Sequence, residues 1–406
     1  MTSPVSQCGH HNGGNRVLSV DILRGIAMVL VILQHSYLSV HRKTIPPLVD
    51  FLLWNMTGLA AVAFVSISGM VYSYFLYTAS DWRHAYRRYA KRAAFLLLAA
   101  HPAINLSGYF FNAAGKENSS SAQVILNLMV LNFPITDMIA VCLLVAPVFV
   151  VCIGSAMRAT VIIALLLSAV LVRAYSMPES ATWSLLQELT FGGLDIPKVF
   201  WFPEAPWLAI FLTGSFAGYA LACHTKGTLE VSAMVRMINR SGLFLAACGV
   251  VLVLGYKMLK MAFGSAGNHN IFLAVYPGQT TALLPGYLAV LALLLAAFLK
   301  EIDIRGHYNR LFWLLSVFGR TSLFTFVIQF AIVESVPALL GMKGTLGPVG
   351  FVVLFVTGSL LIWTLAYLYG RWRGWISAND YAICVNMTRD RFSSAKCMGE
   401  ARLLRK

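Results

Sequence analysis

Arg24 and His35 stand on one apolar stretch, DILRGIAMVLVILQH, with ten uncharged positions between them. Eleven steps along an α-helix are close to three whole turns. Both side chains therefore face one way, with roughly 16 Å of axis between them. An imidazole exchanges a proton near neutral pH and serves as a general base, or as a nucleophile that is itself acylated. Both chemistries fit His35. Arginine grips phosphate through its planar fork of N–H donors. The pair thus offers an anion site and a proton acceptor on one helix face. Blander uses exist as well: Asp21 stands one turn before Arg24 as an ion-pair partner, and a neutral histidine can donate one hydrogen bond to a neighbouring helix. With Arg24 at the cytoplasmic edge, His35 falls near the middle of a ~30 Å hydrocarbon slab. An ionisable group is expensive there and is a functional candidate by default.

The elements that position these residues are membrane helices. The chain has 406 residues, is 58% hydrophobic and only 12% charged, and soluble domains carry about twice that charge. The fold class is all-α, a polytopic helical bundle. Ten spans of ~20 apolar residues are expected near 18–38, 52–77, 93–111, 135–156, 159–176, 206–223, 241–263, 281–299, 311–339 and 347–370. Segment 122–133 is apolar but short, and reads as an interfacial or re-entrant piece. Basic residues cluster in 78–92 (Arg83, Arg87, Arg88, Lys91, Arg92), 224–240, 300–310 and the C-terminal tail. Ten spans with a cytoplasmic N-terminus place all four inside, as the positive-inside rule asks. The loop 39–50, with Arg42 and Lys43, is the exception. The chain divides into a cytoplasmic N-terminal segment (1–17), a transmembrane domain (18–370) and a basic cytoplasmic tail (371–406). The first sixteen residues hold no apolar run, so the first span is expected to be retained rather than cleaved.

The net charge of +15 follows from that topology and does not call for nucleic acid. The seven cysteines are scattered without a CxxC pair and read as small core residues, so neither a zinc site nor a disulfide framework is expected. No ligand spacing implies a metal. Phosphate loops and GxSxG elbows are absent from the sequence, which excludes soluble kinases and hydrolases of those types.

Further polar residues fall inside predicted spans: His101, Asp137, Arg320, Gln329 and Glu334. Asp137 follows Pro134 near a helix start, where a carboxylate is favoured by the helix dipole; it is either a cap or the group that orients His35. Arg320 and Glu334 are too far apart to pair on one straight helix, so each needs a partner elsewhere. The long outer loop 177–205 ends in KVFWFPEAPW. There Trp201, Glu204 and Trp207 form either an interfacial aromatic belt or a platform for an acceptor.

Several segments resemble the acyltransferase-3 superfamily of membrane proteins. RVLSVDILRGIAMVLVILQH is similar to its first span, with a basic residue, ten positions and a histidine. The SVDILRG lead-in looks closest to the branch of heparan-α-glucosaminide N-acetyltransferase and its bacterial relatives, beside glucan succinyltransferases. AFVSISGMVYSY, with Ser68 and Gly69, resembles the family's F-x-x-SG. YRRYAKR resembles the basic cluster opening the third span, where Arg88 pairs with Arg92 or Lys91. WFPEAPWLAIFLTGSFAGYAL is similar to FP-x-x-PW…F-x-x-G-x-x-x-G, and FGRTSLFTFVIQF to a late G-x-x-S-L helix. The resemblance covers most of 16–370.

It implies transfer of an acetyl or other short acyl group from cytoplasmic acyl-CoA, the co-substrate, to a hydroxyl or amine of a carbohydrate, glycolipid or small-molecule acceptor. His35 is then the catalytic base, with Asp137 and Glu334 as catalytic candidates. Arg24, Arg87, Arg88 and Arg92 would hold the coenzyme phosphates, and Trp201, Glu204 and Trp207 the acceptor. The implied location is a bacterial inner membrane with both termini cytoplasmic. A proton-coupled transporter is the competing reading, because it too buries ionisable residues; the sequence shows no internal repeat of the kind many transporters carry.

Overall fold

The computed structural model describes residues 17–40, 44–106, 134–175, 190, 204–263 and 283–377. Trp201, segment 122–133, most of loop 177–205 and the tail from 378 lie outside them. Where the predicted spans overlap the described residues they fall mostly on helix. The elements are α1 (Leu18–Tyr37), α2 (Pro47–Thr78), α3 (Trp82–Phe95) continuing through a π-turn, π1 (Leu96–Ala100), then α4 (Ile135–Val151), α5 (Ser155–Tyr175) and α6 (Glu204–Thr225). After these come α7 (Val231–Phe263), α8 (Leu284–Phe298), π2 (Leu299–Ile304), α9 (Arg310–Arg320), α10 (Ser322–Gln329), π3 (Phe330–Ser335), α11 (Val336–Leu339) and α12 (Pro348–Trp372). There is no strand among the described residues, and Val40 and Leu346 form an isolated bridge. The protein is an all-α, multi-pass membrane protein. Among the described residues six helices are long and apolar enough to cross a bilayer, with two shorter apolar ones.

Helix starts follow local chemistry. Proline opens α2, α8 and α12, where its missing N–H costs nothing. Asp81 caps α3 by accepting from the Arg83 N–H, and Asn309 caps α9 by accepting from the Phe312 N–H. The basic cluster expected in a loop is thus carried on a helix, α3.

One predicted span is corrected. The stretch 311–339 is not a single helix. Before Thr321, α9 runs parallel to α12: the Trp363 indole donates to the Leu314 carbonyl, and Gly370 lies against Thr321. After Thr321 the pairing is antiparallel, with Phe324 stacked on Tyr369 at 4.3 Å and Val333 against Gly358. The chain reverses at Thr321. Only the short run Gly319–Ser322 interrupts the apolar residues there, and a span-length window averages over it.

Helix packing rests on close approaches at glycine, as in membrane bundles generally. α2 and α6 run parallel: Gly69 lies against Phe211, Ser73 donates to the Ser215 carbonyl at 2.9 Å, and Tyr77 meets Tyr219 at 4.9 Å. A Cβ at Gly69 would stand 1.9 Å from the Phe211 carbonyl oxygen, and one at Gly214 1.9 Å from that of Ser66. α1 and α9 interlock likewise, Gly25 on the Leu315 carbonyl and Gly319 on that of Asp21. Arg158 ties α5 to the end of α4. Its guanidinium donates to the carbonyls of Phe149 and Val150, to Ser215 Oγ and to Tyr77 Oη.

Gly214→Val therefore forces α2 and α6 apart and should cost about 3 kcal/mol or more. Gly255→Ala, where an added methyl meets open space, should be neutral or stabilise by up to about 1 kcal/mol. Thermal unfolding of the two purified variants measures the contrast; equal behaviour would contradict this packing.

Candidate active site

The polar face of α1 meets α9, α10 and π3 at three points. Asp21 lies 3.8 Å from Arg320. Arg24 Nη2 donates to Ser322 Oγ. His35 Nδ1 is hydrogen-bonded to Glu334 Oε1. Arg320 and Glu334 thus have the partners on another helix that a low-dielectric setting demands. His35 packs edge-on against Phe330, centroids 4.6 Å apart. It lies in the last turn of α1, which ends at Tyr37, close to the end of the span predicted for 18–38. Its position relative to Arg24 is unchanged.

The π-turn shapes this pair. Gln329 and Glu334 are five residues apart, which on an α-helix would point them to different faces. The i→i+5 bonding of π3 widens the turn, and brings Glu334 back toward the face that meets α1. With Nδ1–H donating to the carboxylate, His35 keeps the lone pair on Nε2. That is the tautomer a general base needs.

At the other end of the site, Arg88 and Arg92 are one turn apart on α3 and line a pocket of about 540 Å³ with Phe75, Thr78, His84 and Tyr89. Arg87, about 100° round the helix from Arg88, is exposed and outside that lining. Arg92 sits over the Tyr89 ring at 5.1 Å. Burial pushes the Tyr89 phenol up to about 12, against the opposing pull of Arg92, Arg24 and Arg88. Arg88 and Arg92 thus line the pocket together with Tyr89, and Arg24 of α1 is near enough to act on that phenol electrostatically, an arrangement suited to a polyanion.

A second histidine–carboxylate pair lies elsewhere. His101 Nδ1 is hydrogen-bonded to Asp137 Oδ2, and the Asn105 amide reaches the His101 ring at 3.0 Å. Asp137 therefore serves His101, not His35. Asp137 is fully buried, and Glu204 in the first turn of α6 is close enough to interact with it electrostatically. One oxygen of each carboxylate and the Thr136 hydroxyl are buried with no hydrogen-bond partner among the described residues. Trp207 is 1% exposed, so it packs in the core and is no open platform.

Sequence reasoning gave no role to Ser322, to the His101–Asp137 pairing or to Arg158. Each acts across helices far apart in the chain, and only the polar types inside apolar runs hinted at them. Among the described residues no three His, Cys, Asp or Glu side chains cluster to hold a metal.

Fold and site together define a multi-pass membrane protein with a histidine–carboxylate pair joined by one helix face to a basic cluster. Residues 16–247, more than half of the chain, match the heparan-alpha-glucosaminide N-acetyltransferase catalytic family. The chain belongs to that family of membrane acetyltransferases. No individual curated protein matches it. The matched stretch holds Arg24, His35, Arg88, Arg92, His101, Asp137 and Glu204, whereas Ser322, Gln329 and Glu334 lie beyond it.

The His101–Asp137 pair makes an energetic prediction. His101→Ala strands a buried carboxylate and should cost about 3 kcal/mol. His101→Ala combined with Asp137→Ala should cost less than the sum of the single changes by at least about 1 kcal/mol. A double-mutant cycle on thermal unfolding reads this, and strict additivity would show that the two do not interact.

Proposed function

We propose that the protein transfers a short acyl group, acetyl in the first instance, from acyl-CoA to an amine or hydroxyl of a carbohydrate acceptor, with His35 as the base. The hydrogen bond between His35 and Glu334, on the helix face shared with Arg24, carries this reading. Membership of the acetyltransferase family supports the reaction class. The lining of the pocket by Arg88, Arg92 and Tyr89, with Arg24 near enough to act on that phenol, supports a phosphate-bearing donor.

The residues do the following in this scheme. Arg88 and Arg92 in the pocket, with Arg24 beside them, bind the coenzyme phosphates. Glu334 fixes the His35 ring and stabilises its cationic form. Nε2 takes the proton from the acceptor N–H or O–H as its heteroatom attacks the thioester carbon. The C–S bond breaks, and the thiolate recovers the proton from the imidazolium. The acyl group is now on the acceptor, and free thiol leaves. Glu204 and Asp137 have the chemistry to hold polar groups of an acceptor. A cell-membrane location with both termini cytoplasmic places the basic pocket on the side where acyl-CoA is made.

The test is binding and turnover of radiolabelled acetyl-CoA by purified protein with glucosamine-type acceptors. His35→Ala and Glu334→Gln should bind the donor normally and lose on the order of 10²–10⁴ in turnover. Arg24→Ala should weaken donor binding. If folded wild-type protein neither binds nor consumes any acyl-CoA, the proposal fails and transport becomes the better account.

A further inference from the structure

Ser322, Thr325, Phe326 and Gln329 make up the buried face of α10. Ser322 and Gln329 are seven residues apart, two turns of α-helix, so they lie on one stripe. Ser322 accepts from Arg24, so that stripe is turned toward α1. One π-turn further on, Glu334 meets His35. Gln329 therefore sits between the two ends of the proposed site, along the path that separates Arg24 from His35.

Gln329 is fully buried, and neither its Nε2 nor its Oε1 has a hydrogen-bond partner among the described residues. A buried amide left unpaired is costly, far more so than a leucine or methionine in the same space. Such a group needs a reason for being there, and a ligand that comes and goes is one. A donor with its phosphates at the arginines and its thioester at His35 must thread an arm across roughly 16 Å. The arm of coenzyme A is a flexible chain with amide groups along it. A primary amide is the side chain that matches an amide in both directions, since it offers N–H donors and a carbonyl acceptor together.

We propose that Gln329 is a binding residue for the amide-bearing arm of the acyl-CoA donor, pairing with an arm amide midway between the phosphate end and the thioester end. This rests on the acyl-CoA reading above and adds to it the residue that holds the arm. Gln329 Nε2 donates to an arm carbonyl, and Oε1 accepts from an arm N–H.

The experiment compares two ligands on detergent-solubilised full-length protein: acetyl-CoA, and adenosine bisphosphate, which is the coenzyme head group without the arm. Wild type is compared with Gln329→Met, which keeps the volume and removes the amide. The expected result has three parts. Acetyl-CoA affinity falls about tenfold, bisphosphate affinity stays the same, and the ligand-free melting temperature holds or rises by a few degrees. Unchanged affinity for acetyl-CoA overturns the assignment. Equal weakening for both ligands overturns it too, since Gln329 would then act through the fold. A marked fall in ligand-free melting temperature does the same, because it would show the amide already satisfied by the protein; Gln329→Leu repeats that reading with a different side-chain shape. If wild type binds neither ligand, the acyl-CoA reading itself falls and the arm site with it. Binding of bisphosphate with no gain for acetyl-CoA in wild type sinks the arm site alone.

Discussion

A charge inside a bilayer must find a partner, and α1 finds its partners in one short region of the chain. Asp21, Arg24 and His35 meet Arg320, Ser322 and Glu334 respectively. Those three contacts are spread along most of α1, so the helix is fixed in rotation and in height at once. α9 could not supply all of them by running straight on. It supplies the first, and the reversal at Thr321 turns the chain so that α10 and π3 climb alongside α1 and supply the other two. The bend is thus tied to the placement of a partly buried arginine and a partly buried histidine.

The motifs that stood out in the sequence prove to be paired in space. SVDILRG and FGRTSL hold Gly25 and Gly319, which let α1 and α9 touch at the backbone. SISG and FLTGSFAG hold Gly69, Gly214 and Gly218, which do the same for α2 and α6. Lipid tails are as apolar as leucine, so membrane helices gain little from burying apolar surface against each other. Close contact through small residues does the holding. The glycines beside the charged residues are therefore part of what puts the charges at the right distance.

Much of this was legible from the residues alone. Apolar runs located most of the described helices, though not the basic α3, and the eleven-residue spacing put Arg24 and His35 on one face. The need for a cross-helix partner was legible for Glu334 and Arg320, but the identity of the partner was not, since nothing in local sequence tells which helix lies alongside. Asp137 shows the same limit: a carboxylate behind a histidine was the right kind of contact, but the histidine is His101. The bend at Thr321 was hidden because hydropathy measures burial, not direction. The π-turn at Phe330–Ser335 was hidden because it depends on which face Glu334 must show to α1. Glu204 was singled out for standing among aromatics and prolines, and it does reach Asp137's neighbourhood, whereas Trp207 turned inward.

α2 has 32 residues and so is about 48 Å long, well beyond a ~30 Å hydrocarbon layer, and an ordinary tilt of about 20° removes little of the excess. Its first turns expose Leu48, Val49, Phe51 and Leu52, side chains that belong in lipid. The surplus must then emerge at the opposite end. That end, from Phe75 through Asp81, forms a wall of the basic pocket. Hydrophobic mismatch thereby lifts the pocket out of the oil and into the headgroup layer. Under the proposed function, a multiply charged donor would dock there without shedding its hydration, in competition with the phosphates of the surrounding lipids.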